Sequence, residues 1–166
     1  MGGYRRGKGL SGDVDILISP TEQEETDGIL PALLAHFQAT GAIVDVLSYS
    51  EGQSRRRRPA PSQSDPAAID RLDKCLCIFR EAPDMPLRRL DLIVAPRSQF
   101  AFALLGWSGS RQFERSIRLF AQRERGMQLA SHALIDASGK CVSAEREQDI
   151  FVALGLEYVP PEYRNC

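Results

Sequence analysis

The chain has 166 residues, 43% of them hydrophobic and 26% charged, with a formal net charge of −1. That length can bury a sizeable core in one large domain or two small lobes, and the near-neutral balance means a polyanion must be met by a local basic patch. No apolar run approaches the roughly 20 residues that cross a bilayer and no charged-then-apolar leader opens the chain, so no membrane partner is expected.

Residues 1–9 are glycine-rich and basic: Gly2, Gly3, Arg5, Arg6, Gly7, Lys8 and Gly9. They read as a glycine turn with no strand before it, as if the chain began inside a domain. Two glycines let backbone N–H groups approach an anion, and arginines grip phosphate oxygens in bidentate fashion. The same composition is common in flexible termini. Asp13 to Ile18 then alternates with period two, placing Asp13, Asp15 and Leu17 on one face and Val14, Ile16 and Ile18 on the other. The apolar run is expected to anchor this strand in a sheet. Asp27 is placed to cap a helix with the stripe Leu30, Leu33, Leu34 and Phe37, closed by Gly41. Ala42 to Leu47 reads as a strand, and Ser48 to Ala68, with the run Arg55 to Arg58, as a long aperiodic loop. Strands follow at Lys74 to Phe79 and Leu90 to Val94. Cys75 and Cys77 alternate on the first of these and read as packing residues, zinc ligation being the weaker alternative. With Cys141 and Cys166 they are too scattered for a disulfide framework, which points to a reduced, intracellular protein.

From Phe100 the pattern turns helical, running through Gly106 and Trp107 to a turn at Ser108, Gly109 and Ser110. Ser110 is a suitable N-cap for a helix to about Arg123, with Phe113, Ile117 and Phe120 on one side and Arg111, Arg115 and Arg118 nearly opposite. Such arginines are commonly a solvated face; beside a ligand wall they are phosphate contacts. Glu114 can pair with Arg118 at i,i+4. A hairpin is expected over Met127 to Ser143 around Asp136 to Gly139, and a last helix from about Glu145 to Leu154, stopped by Gly155. His36 and His132 read as structural, since neither sits among other ligand types.

Carboxylates two apart on a strand project from one face with Cα atoms roughly 6.5–7 Å apart, within reach of one cation or a pair. Asp91, on a second apolar strand, either shares that charge or pairs with a nearby arginine such as Arg88 or Arg89; the residues alone leave both open.

Taken together, Gly2 to Lys8 followed by Asp13-Val14-Asp15, the Asp91 strand, the segment Phe102 to Arg115 and the segment Leu154 to Asn165 resemble the nucleotidyltransferase signature of the family X DNA polymerases, in the same order over nearly the whole chain. Gly106-Trp107 and the last segment look most like the branch of DNA polymerase mu and terminal deoxynucleotidyl transferase; the lambda and beta branches carry an aromatic pair there. Gly12, by contrast, stands where the mu branch usually has histidine.

The resemblance implies an α+β fold: a palm over residues 1–99 with a mixed sheet and helices on one side, lacking its first strand, then a small α/β thumb over 100–166. It implies a DNA polymerase acting in gap filling and end joining in the nucleus, on a DNA primer/template or DNA ends and a nucleoside triphosphate, with end-joining proteins as further partners. Two Mg²⁺ or Mn²⁺ ions would be held by Asp13, Asp15 and Asp91. Gly2, Gly3, Arg6 and Gly12 match positions around the triphosphate. Gly106, Trp107 and Gly109 match the wall against sugar and base, with Gly109–Ser110 aligning with a cis peptide in relatives. Arg89, Arg111, Arg115 and Arg118 match the DNA side. Glycine at 106 removes an obstacle to the ribose 2′ position, so weak discrimination against ribonucleotides is expected. Three other readings stay open: a template-independent terminal transferase, a DNA-binding fragment without turnover, and a nucleotidyltransferase acting on RNA or small molecules. The thumb segment argues against the last.

Overall fold

The computed structural model describes residues 1–21, 26–51 and 71–165. A four-stranded mixed sheet occupies the first hundred residues. Its strands are β1 (Asp13–Ile18), β2 (Ile43–Ser50), β3 (Asp73–Phe79) and β4 (Arg88–Val94), in the order β1-β4-β3-β2. β1 runs parallel to β4, while β3 is antiparallel to both β4 and β2. The parallel register sets Asp13 opposite Arg89, Asp15 opposite Asp91 and Leu17 opposite Ile93. Side chains alternate along a strand, so these three pairs share one face of the sheet.

The opposite face carries the first core. Helix α2 (Ile29–Ala39) lays Leu30 and Leu34 on Cys75, Cys77, Leu90, Leu92 and Val94. Both cysteines are fully buried here, and burial pushes the Cys77 thiol up to about 12, in keeping with packing residues. α2 covers β2, β3 and β4 and stops short of the β1 edge. Val14 and Ile16 therefore stay 50% and 41% exposed, lining an apolar groove of about 550 Å³ with Leu33, Phe37 and Met85. This corrects the expectation that the whole apolar run anchors β1: only Leu17 and Ile18 pack into a core.

Three local expectations also change. The segment Gly2–Arg5 is one turn of helix, α1, rather than a glycine turn. Asp27 does not cap α2; the helix begins one residue too late for it, and Gly28 takes the N-cap with φ +81°, a left-handed conformation that glycine adopts without a Cβ penalty. Ser48 to Ser50 continue β2, and the expected loop from residue 52 to 68, with Arg55 to Arg58, lies outside the described residues.

The second half builds a separate core. Helices α3 (Phe100–Ser108), α4 (Arg111–Arg125) and α5 (Glu147–Leu154) surround a small antiparallel sheet of β5 (Gln128–Leu129), β6 (Leu134–Ile135) and β7 (Cys141–Val142). Phe102, Leu105, Ile117, Leu134, Ile150, Phe151 and Leu154 close this core. The Ser110 side chain accepts from the Phe113 N–H, the cap expected for α4. Asp136 Oδ1 accepts from the Ser138 and Lys140 N–H groups, which fixes the β6–β7 turn. The first arm of the expected hairpin is itself folded, as β5 and β6. α3 also reaches back to the first sheet: Ala103 packs with Leu72, Ile93 and Ala95, flanked by Leu17 and Trp107.

Candidate active site

The face of β1 and β4 away from α2 brings Asp13, Asp15 and Asp91 together, each offering an oxygen within 4.8 Å of the others. Asp91 is buried and the other two are partly exposed. Arg89, from the same face, ion-pairs with Asp13 and places Nε 3.1 Å from Asp91 Oδ1. The two readings of Asp91 are thus not exclusive, because a paired arginine and the carboxylate cluster coexist. One guanidinium still faces three carboxylates. Burial, then Asp13 and Asp91, push the Asp15 carboxyl above the usual range. Burial does the same to Asp91, outweighing Arg89. A site with excess negative charge and hard oxygen donors favours a divalent cation such as Mg²⁺ or Mn²⁺.

α1 lies directly on this cluster. Gly2 has φ +50°, and a Cβ there would meet Asp15 Oδ2 at 1.9 Å, so the position requires glycine. Gly3 sits one residue on. Gly12, at the head of β1, has open space around it and joins neither the cluster nor the pocket described next.

Beyond α1 the chain crosses to a second concavity of about 340 Å³, lined by Arg6, Gly106, Trp107, Ser108, Gly109, Arg111, Glu114, Arg115 and Arg118. Seven of these are site residues read from the sequence; Ser108 and Glu114 are additions. Arg6 donates to the Ser108 carbonyl and, through Nε at 2.9 Å, to Asn165 Oδ1. Gly109 has φ +70°, and a Cβ there would meet Arg6 Nη1 at 2.8 Å; the Gly109–Ser110 peptide is cis. A Cβ at Gly106 would point at Ser131 Oγ, 2.8 Å away, with Arg118 Nη2 at 3.4 Å. Glu114 pairs with Arg118 at 3.2 Å, as its i,i+4 spacing predicts.

Sequence comparison bears on this arrangement directly. Residues 1–97 match the DNA polymerase beta palm and residues 103–165 match the DNA polymerase beta thumb. The chain belongs to the family X DNA polymerases. Among relatives, DNA-directed DNA/RNA polymerase mu of Homo sapiens is 38% identical over 180 residues, covering 99% of this chain and 36% of the relative. DNA nucleotidylexotransferase of Bos taurus is 37% identical over 181 residues, covering 99% and 35%. That of Gallus gallus is 35% identical over 177 residues, with the same coverage. The chain spans about a third of the length of these curated relatives. No helix among the described residues is long and apolar enough to cross a membrane.

In this family X chain the sequence reading missed one constellation. Glu147, at the start of α5, accepts from Arg5 Nη1 at 3.0 Å and from Arg164 Nη1 at 2.8 Å. Although burial pushes its carboxyl up, the bonds from the two arginines win and hold it below the usual range. Arg164 is fully buried, its guanidinium over the rings of Phe113, Phe151 and Tyr158 at 5.2–5.5 Å. Arg5 also donates to Ser108 Oγ at 2.8 Å. These residues come from three distant parts of the chain, so no local spacing could signal them.

Proposed function

We propose that the chain is the catalytic portion of a nuclear DNA repair polymerase, adding nucleotides to a primer 3′-hydroxyl in gap filling and in joining broken ends. The observation that carries this reading is the convergence of three carboxylates from two neighbouring strands, beside a basic pocket, in a chain of this family. The 3′-oxygen attacks the α-phosphorus of a nucleoside triphosphate, the bond to the bridging oxygen breaks, and pyrophosphate leaves. Two divalent cations, when bound, supply the charge that acidifies the hydroxyl and steadies the leaving phosphates.

The chain's own residues divide the remaining work. Asp13, Asp15 and Asp91 hold the cations, and Arg89 offsets their charge when none is bound and contacts the primer end. Gly2, Gly3 and Arg6 present backbone and guanidinium donors to the triphosphate, with Gly12 at the strand entry. Gly106, Trp107 and Gly109 wall the sugar and base. Arg111, Arg115 and Arg118 take template and primer phosphates. End-joining partners engage the protein through other regions.

The near-equal identities to polymerase mu and to the nucleotidylexotransferases favour a second reading, addition without a template. Primer extension with Mg²⁺ or Mn²⁺ on gapped duplex and on single strands, with Asp91→Ala as control, separates the cases. Extension on the gap that is lost in the variant supports the polymerase, and extension on single strands supports the transferase. DNA binding with no extension in either protein overturns both and leaves a DNA-binding fragment.

A further inference from the structure

Glu114 is a carboxylate in an arginine-lined pocket that the proposed chemistry does not use. It lies in the first turn of α4 between Arg111 and Arg115, yet only 5% of it is exposed. Oε2 faces Arg118 Nη2 at 3.2 Å, and Arg118 Nη2 also donates to Ser131 Oγ at 3.3 Å. Glu114 Oε1, Arg118 Nε and Trp107 Nε1 are all buried without a hydrogen-bond partner among the described residues. All three belong to side chains lining the same concavity. Three buried polar atoms without a partner, on side chains that border one pocket, make this cluster costly as it stands.

The charges facing Glu114 come from every side. Arg118 stands on its own helix, Arg164 on the closing segment and Glu147 on α5, while Arg6, Arg111 and Arg115 complete the pocket lining. Burial, opposed by Arg118 and Arg164 and aided by Glu147, pushes the Glu114 carboxyl up to about 7. Its charge therefore changes near neutrality while the arginines keep theirs.

We propose that Glu114 is a proton-controlled brake on this pocket: ionised, it holds the Arg118 guanidinium and cancels one of the pocket's positive charges, and on taking up a proton it frees Arg118 for a nucleic-acid phosphate. Glu114 is then a positioning residue acting through Arg118. The inference rests on the pocket's reading as a seat for nucleic acid. Phosphodiesters keep one charge throughout the neutral range, so any change in affinity with pH originates in the protein. For a carboxyl whose pKa rises by one unit on binding, DNA affinity increases about fivefold from pH 8 to pH 6.

Trp107 is the chain's sole tryptophan and borders the pocket, so its fluorescence reports on the carboxyl without any ligand. The test titrates wild type and Glu114→Gln from pH 5.5 to 8.5, then measures binding of a labelled primer/template duplex in EDTA across the same range. The expected result is a fluorescence step near pH 7 in wild type that is absent in Glu114→Gln. Duplex affinity should rise about fivefold toward pH 6 in wild type and stay flat in Glu114→Gln and in Arg118→Met. A step that persists in Glu114→Gln traces the titration to another group and overturns the proposal. So does a duplex affinity that is flat with pH in wild type, a result that needs no variant to fold. Absence of duplex binding by wild type at every pH overturns the functional reading itself, and the brake with it.

Discussion

At the scale of single residues, environment more than identity decides what a carboxylate does in this molecule. Glu114 and Glu147 are both buried glutamates beside arginines, yet burial wins at Glu114 and paired guanidinium groups win at Glu147. The sign at Glu114 follows. Its folded-state pKa lies above the ordinary 4.5, so the native state keeps a proton that the unfolded chain gives up between pH 4.5 and about 7. That stabilisation is complete below the unfolded value and disappears as pH rises through 7. Glu114→Gln should therefore gain relative to wild type by about 2.5 kcal/mol between pH 5 and pH 8, measured by urea unfolding at both values. Gly106 carries a different prediction. If the proposed function places the nucleotide sugar against it, glycine leaves the 2′ position unobstructed, and ribonucleotides and deoxyribonucleotides should be incorporated at comparable rates on one substrate. A strong deoxyribonucleotide preference in single-turnover assays would count against this.

At the scale of elements, sequence period and turn chemistry specified most of what forms. The alternation at Asp13 to Ile18 and the apolar run at Leu90 to Val94 read as strands because strands declare themselves at period two or as short apolar runs. Ser110 declared α4 because an N-cap hydroxyl in front of an amphipathic stripe has few other uses. Replacing it with alanine should cost about 1 kcal/mol in urea unfolding, with the α4 N-terminus losing hydrogen-exchange protection first. The misreadings also have physical causes. Asp27 has the right chemistry for a cap but stands one residue early, and cap position depends on where the tertiary contacts of Leu30 and Leu34 begin the helix. Exposure of Val14 and Ile16 was invisible because pattern alone does not say how far α2 extends over the sheet.

At the scale of the whole molecule, the order of segments along the chain was legible and the contacts between them were not. The three aspartates could be named from the sequence because motif order ties them to one chemistry. Their meeting depends on β1 pairing in parallel with β4, across some seventy intervening residues. The Arg5–Glu147–Arg164 contact binds the amino-terminal turn to the second core across 142 residues, and the neighbouring Arg6–Asn165 pair does so across 159. Glu147→Ala leaves two arginines without their counter-charge, one fully buried, and should destabilise the fold by about 3–5 kcal/mol in urea unfolding. A cost under 1 kcal/mol would mean that this ion-pair contact does not hold the two cores together.

Whether the three-carboxylate cluster is a cation site is tested most directly by Mn²⁺ binding followed by electron paramagnetic resonance, without DNA or nucleotide. Wild type should remove Mn²⁺ from solution saturably, with affinity falling at least tenfold in Asp15→Asn and in Asp91→Asn while both variants keep the wild-type circular dichroism spectrum. Equal Mn²⁺ affinity in wild type and the two folded variants would contradict the assignment of Asp13, Asp15 and Asp91 as the metal ligands.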